Sequence, residues 1–309
     1  MNSLPFYIVD VFADAPYRGN QLAVFRNAQG LSTQQMQQIA REIGFAESAF
    51  ISSDQPQQGG FDVRFFTVEY EVPFAGHPTL GTAFIIQQFI MGNAAPTLAL
   101  NLKAGQIPVS FKYRGQRPDF LFMRQINPSF GPIFPKQELA AAVGLPTDAF
   151  HPTLPVQEVS TGLPFLILPV QRLKHMRQLS VQPEPLLRFL QKHGLYKTQR
   201  PDGLTVALYF FCPETYSPHS QLNARMLAYE NNQIIEDAAT GSANGCLLSY
   251  LLHHKFFPAT ELELLVEQGV EMNRNATIKL KGKRSAPDQY DINVGGQVQL
   301  ISKGEWYVY

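Results

Sequence analysis

Residues 78–91 read PTLGTAFIIQQFIM, and residues 242–254 read SANGCLLSYLLHH. Both have helical composition, and neither has a polar face. A helix that is apolar all round must be surrounded by protein. Pro78 suits a first helical turn and Gly92 an exit. Working outward, the flanking chain offers many candidate strands: FYIVDVF, LAVF, ESAFI, DVRFFTV, TLALNL, IPVSFKY, FLFM, PFLILPV, LTVALYFF and LELLVEQG. They are short, rich in β-branched and aromatic residues, and separated by turn residues. Curling a sheet around each apolar helix buries both. The expected fold is therefore α+β, with two barrel-like β domains each wrapped around a central helix.

Weak internal similarity points the same way. Gly19–Phe25 (GNQLAVF) is echoed by Gly162–Leu168 (GLPFLIL), and Ala75–Thr79 (AGHPT) by Ala238–Ser242 (AATGS), in the same order. A duplicated fold is expected to bring the two helix starts face to face across a cleft. Expected domains are 1–117 plus 296–309, and 118–295. Further surface helices are expected at 32–44, 136–144 and 183–194. In the first of these, Ser32 and Gln35 form a capping box, and Gly44 supplies the stop.

Composition narrows the function. The chain has 309 residues, 45% of them hydrophobic and 16% charged, with 25 basic and 25 acidic side chains. That balance gives no footprint for nucleic acid. No apolar run approaches the ~20 residues of a membrane span. Two cysteines, Cys212 and Cys246, make no disulfide framework and no zinc spacing. A cytoplasmic setting is expected on these grounds. GHPTLGTA has the glycines of a phosphate loop but Thr82 where a lysine is required. GSANG is not a nucleophile elbow, and no G-x-G-x-x-G or H-E-x-x-H occurs. No cofactor and no metal are expected.

The helix starts are the chemical candidates. A helix N-terminus presents backbone N–H groups and the positive end of the dipole, which favours anions. Small residues there (Ala75, Gly76, Ala239, Gly241, Ser242) allow close approach to the backbone. His77 and Asp237 flank these starts, and each also has an ordinary reading, as a capping histidine and as an N-cap. Glu47, in FAESAF, is either an exposed strand residue or a desolvated carboxyl able to exchange protons near neutrality.

Those segments, VDVFADAPYRGNQLAVF (9–25), FAESAF (45–50), EVPFAGHPTLGTA (71–83), EDAATGSANG (236–245) and VEQGVEMNRNATIKL (266–280), resemble the phenazine-biosynthesis (PhzF-type) isomerase family over essentially the whole chain. The resemblance implies a diaminopimelate epimerase-like fold, an active site between the halves, a homodimer, and cofactor-independent hydrogen shift on a small carboxylate. It places the catalytic glutamate at Glu47, with His77 and Asp237 beside it. Substrate contacts are implied at Asn20, Gly76, Gly241 and Ser242. The sequence departs from the family pattern at Ala46, at Ala238 and in MNRNATI, which bears on Arg274 and on substrate identity. Epimerases of this fold use a cysteine pair, and the repeat sets Ala75 and Ala238 at those positions. A one-base isomerase is the leading expectation. A two-base epimerase or racemase and a non-catalytic small-anion binder stand as alternatives.

Overall fold

A computed structural model describes residues 2–200 and 203–308. The chain divides into two units, Met1–Arg124 with Gly295–Tyr309, and Gln125–Val294. Among the described residues no helix is long and apolar enough to cross a membrane.

The first unit opens with β1 (Asn2–Val11) and β2 (Asn20–Phe25), an antiparallel pair. α1 (Thr33–Ile43) follows, and its Ser32–Gln35 capping box forms as expected. Gly44 ends it at φ 71°, a left-handed stop that costs glycine nothing. α1 buries Met36, Ile39 and Ala40 against Phe25, Phe50 and Phe66, on the outer face of the sheet. β3 (Glu47–Ile51) runs parallel to β2, and β4 (Phe61–Thr67) antiparallel to β3. A short β5 (Glu71–Val72) folds back on β4 and leads into α2 (Gly76–Ile86), which continues as a π-helical turn over Gln87–Met91.

Every residue of α2 from His77 to Ile86 is buried. A Cβ on Gly81 would stand 2.6 Å from Leu22 and 2.9 Å from Val11, so the helix lies directly on β1 and β2. β6 (Thr97–Leu102), parallel to β4, β7 (Gly105–Arg114) and β8 (Arg117–Arg124) complete the wrap around it. The C-terminal strand, Val298–Val308, pairs with β1. Gln297, just before it, donates to Asp119 of β8 at 2.8 Å, and its Gln299 accepts from Arg117 of β8 at 3.2 Å, which closes the seam. The domain boundary expected at 117/118 would cut off β8. Pairing along β7 keeps residues 118–124 in the first unit.

The second unit repeats this plan. β9 (Ser129–Phe134) precedes α3 (Lys136–Val143), then β10 (Val156–Ser160) and β11 (Pro164–Pro169). α4 (Leu173–Gln178) and α5 (Pro183–Lys192) occupy the place of α1, with α3 and α5 over the outer apolar layer. β12 (Ala207–Cys212), β13 (Leu222–Glu230) and β14 (Gln233–Asp237) lead into α6 (Gly241–His253), buried from Gly241 to Leu252. β15 (Glu261–Gln268), β16 (Ala276–Ala286) and β17 (Gln289–Gly296) follow. The parallel pairings β11–β12 and β13–β15 stand where β2–β3 and β4–β6 stand in the first unit. The antiparallel partners match as well.

Side chains carry the same duplication. Arg64 on β4 forks onto Glu71 of β5 with two 2.8 Å bonds, and Arg225 on β13 forks onto Glu236 of β14 with two 2.7 Å bonds. Both glutamates lie four residues before the N-cap of the central helix. Across the parallel β4–β6 pair, Asn101 donates to Asp62 at 2.8 Å. Across β13–β15, Asn223 donates to Glu267 at 3.0 Å, with amide and carboxylate exchanged between the strands.

The exit of α6 has a pH-sensitive group. The His254 ring meets Gln157 Oε1 at 2.7 Å, and burial, aided by neighbouring His253, pushes its pKa from 6.5 to about 4. As pH falls below 6.5 the unfolded chain takes up this proton first, so stability drops until about pH 4 and the contribution then levels off. His254→Gln is expected to flatten part of that slope, read from denaturation midpoints between pH 7 and pH 4. An unchanged slope would refute the assignment.

Candidate active site

Glu47 is the first residue of β3, reached straight from the left-handed stop after α1. Its side chain is 22% exposed, between the two environments that the sequence left open. His77 is the second residue of α2 and is buried. Its Nε2 lies 3.5 Å from Glu47 Oε2. The fold thus brings together an acid and an imidazole from separate segments. Asn20 is buried at the head of β2, opposite Val11. Gly76 is the first residue of α2.

In the second unit Asp237 ends β14 and Thr240 is the N-cap of α6, so Asp237 is not itself the cap. Thr240 does not cap with its side chain. Its hydroxyl donates instead to Asp237 Oδ2 at 2.5 Å. Gly241 and Ser242 open the helix and are buried. Neither central helix has a side-chain cap, whereas the surface helix α1 has a complete capping box. At α2 the N-cap is Ala75, which has no acceptor to offer. Helix starts usually recruit a Ser, Thr, Asp or Asn side chain. Here both leave the positive end of the dipole to other groups.

Helix starts also fix the internal register. Thr79 donates its hydroxyl to the Ala75 carbonyl at 2.7 Å, and Asn244 donates Nδ2 to the Thr240 carbonyl at 3.1 Å. Ala75 therefore corresponds to Thr240, not to Ala238 as the sequence echo suggested. The chemical consequence is unchanged, because neither alanine nor a threonine hydroxyl replaces a thiolate base. The cysteines do not substitute. Burial pushes the thiols of Cys246, inside α6, and Cys212, at the end of β12, up to about 12.

Sequence reasoning passed over Thr240, Asn244 and Gln268, which form a buried polar cluster beneath the α6 start. A glutamine at the end of an apolar strand, directly before a glycine, was the available signal. Arg274 lies in the following turn, where its N–H bonds the Gly269 carbonyl at 3.0 Å.

Comparison with known proteins identifies the family. A family model described as phenazine biosynthesis-like protein matches residues 9–304. The chain is 28% identical over 304 residues to trans-2,3-dihydro-3-hydroxyanthranilate isomerase of Pseudomonas aeruginosa, covering 98% of this chain and 99% of the other. It is 27% identical over 311 residues to an uncharacterized isomerase of Mesorhizobium japonicum, covering 100% of both. The crystal structure of the Bacillus anthracis phenazine biosynthesis protein, PhzF family, matches with a TM-score of 0.86 at 27% identity, over 100% of each chain. A hydroxyproline epimerase from Agrobacterium vitis shares the fold alone, with a TM-score of 0.58 at 10% identity, over 98% of this chain and 92% of that one. The chain belongs to the phenazine biosynthesis-like family and is an isomerase of the PhzF type.

Proposed function

We propose that this isomerase moves a proton between two carbons of a small carboxylate, without a cofactor, using Glu47 as its single acid/base. One observation carries the reading: the Glu47 carboxylate stands 3.5 Å from buried His77 at the start of an apolar helix that lacks a side-chain cap. In the first step a substrate C–H bond breaks. Its proton passes to the Glu47 carboxylate, and the electron pair enters the conjugated system of the substrate. In the second step the Glu47 carboxyl delivers the proton it now carries, which is exchangeable with solvent, to a different carbon, a new C–H bond forms, and Glu47 is again ionised. Atoms and charge balance over the cycle.

The remaining residues support these steps. His77 holds the orientation of Glu47. Asp237 orients the substrate or assists the second protonation. Gly76 at the start of α2, and Gly241 and Ser242 at the start of α6, are substrate contacts in this reading, offering helix-start N–H groups to negative charge. Asn20 adds a substrate contact. The homodimer implied by the resemblance is part of the same reading.

The relative from Pseudomonas aeruginosa supplies the first substrate to try. The protein is incubated in heavy water with trans-2,3-dihydro-3-hydroxyanthranilate and with related cyclic and acyclic carboxylates, and carbon-bound deuterium is followed by NMR. Solvent deuterium that appears at the carbon gaining hydrogen and depends on Glu47 is the expected result. Label with inversion at one carbon would favour a two-base epimerase. Tight binding with no label at any carbon would make the protein a carboxylate binder.

A further inference from the structure

The contacts beneath the α6 start converge on one side chain. Gln268, the last residue of β15, is fully buried. Its Oε1 accepts from the Tyr209 hydroxyl at 3.1 Å, the Thr240 N–H at 3.2 Å and Asn244 Nδ2 at 3.2 Å. Its Nε2 donates to the Asp237 carbonyl at 2.9 Å and to Thr240 Oγ1 at 3.0 Å. Thr240 Oγ1 then passes its own hydrogen to Asp237 Oδ2. Only a carboxamide, with donors and acceptors on one rigid plane, can serve all of these groups. The donated bonds orient the Thr240 hydroxyl: because Oγ1 accepts from Gln268, its hydrogen is directed at the Asp237 carboxylate.

The fold does not require this cluster. The parallel register that sets Asn223 beside Glu267 continues to Gln268, and in the first unit, where Asp62 stands beside Asn101, the next residue on β6 is Leu102. An apolar side chain therefore serves at the equivalent place. The backbone is also specialised. Gly269 has φ 73°, and a Cβ there would lie 2.6 Å from the carbonyl oxygens of both Ala238 and Arg274. Only glycine lets the chain after Gln268 press this closely against the strand end that carries Asp237.

We infer that Gln268 is a positioning residue for the isomerisation. It acts through Thr240 and Asp237, fixing the direction of the Asp237 carboxylate and the first turn of α6. The inference rests on the function proposed above.

Two variants test it. Gln268→Leu installs the side chain that the first unit uses, and kcat for label transfer is expected to fall ~10²-fold, the scale of a small misplacement of reacting groups. Backbone amide exchange over residues 240–244 should quicken by ~10-fold or more, with residues 79–82 unchanged. Gln268→Glu keeps the acceptor but donates only when its carboxyl is protonated. The ratio of its kcat to that of the wild type should therefore rise as pH is lowered, whereas a space-filling role predicts a constant ratio. A Leu variant with near-wild-type kcat, a flat ratio for the Glu variant, or equal loosening of 79–82 and 240–244 would each overturn the inference. If Gln268→Leu does not fold, the pH ratio of Gln268→Glu decides alone. Failure of the underlying reading looks different: Glu47→Gln would keep the rate, while amide exchange would still report whether Gln268 holds the α6 turn.

Discussion

Replacing Glu47 by glutamine is expected to lower the rate of label transfer by ~10²–10⁴-fold, the range that a positioned acid/base group contributes. The substitution is nearly isosteric and sits at the partly exposed head of β3. The β3–β4 ladder, which pairs Glu47 with Thr67, uses backbone groups and survives the change. Phe25, Phe50 and Phe66 pack on the opposite face of the strand and are not touched. Stability should therefore stay within ~0.5 kcal/mol of the wild type, as for substitutions that leave the core alone. An amide cannot accept the substrate proton, so the loss should appear in kcat far more than in binding. The measurement is the rate of deuterium transfer, with thermal unfolding followed in parallel. A glutamine variant that folds and turns over at near-wild-type rate would end the one-base mechanism. A large drop in Tm would make rate loss uninformative, and Glu47→Asp, which keeps a carboxyl but withdraws it from His77, then separates chemistry from folding.

The sequence carried the architecture because its strongest signal was a violation of amphipathicity. Two helices without polar faces, at 78–91 and 242–254, have only one environment that can hold them, and both are enclosed by strands. The strand runs were legible for the same reason that they fold: β-branched and aromatic residues cut by turns. Side-chain pairings were not legible. Arg64 and Glu71 read as scattered surface charge, as do Arg225 and Glu236, until the two hairpins bring each pair together. The hairpins differ in length, since β13 and β14 extend well beyond the short β4–β5 turn. A repeat search at fixed spacing therefore slips between the arginines and the helix starts, which is how Ala238 came to stand in for Thr240. The approach of Glu47 to His77 joins residues from different strand and helix segments, and local pattern holds no record of such a contact. The hydroxyl of Thr240 was hidden for a subtler reason: Asp and Thr are both good caps, and only coordinates show that one is bonded to the other.

The second large effect concerns the duplicated Arg–Glu fork. Arg225→Leu is expected to destabilise the protein by ~3–5 kcal/mol, the cost of leaving one partner of a buried ion pair alone. The arginine side chain is 10% exposed and Glu236 17%. Besides its two bonds to Glu236, Arg225 donates Nη1 to the Met176 carbonyl at 2.6 Å, so its loss also leaves that carbonyl with only the long 3.4 Å bond from Leu179 N–H at the end of α4. Glu71, at 20%, is about as exposed as Glu236, but the equivalent Arg64 is 31% exposed, so water already reaches this fork from the arginine side. Arg64→Leu should therefore cost clearly less, although sequence and topology give the two arginines the same place. Removing both charges tests the cause. In Arg225→Leu with Glu236→Leu the fork is removed from both sides, only the more distant Glu271, 4.0 Å from Arg225, keeps its charge there, and part of the lost stability should return. Urea denaturation of the single and double variants measures these differences, and equal losses for Arg64→Leu and Arg225→Leu would refute the burial argument. Glu236 immediately precedes Asp237 on β14. The fork that stabilises the second unit is therefore also what delivers the Asp237 carboxylate and the start of α6, and in the double variant label transfer should remain depressed even where stability has been regained.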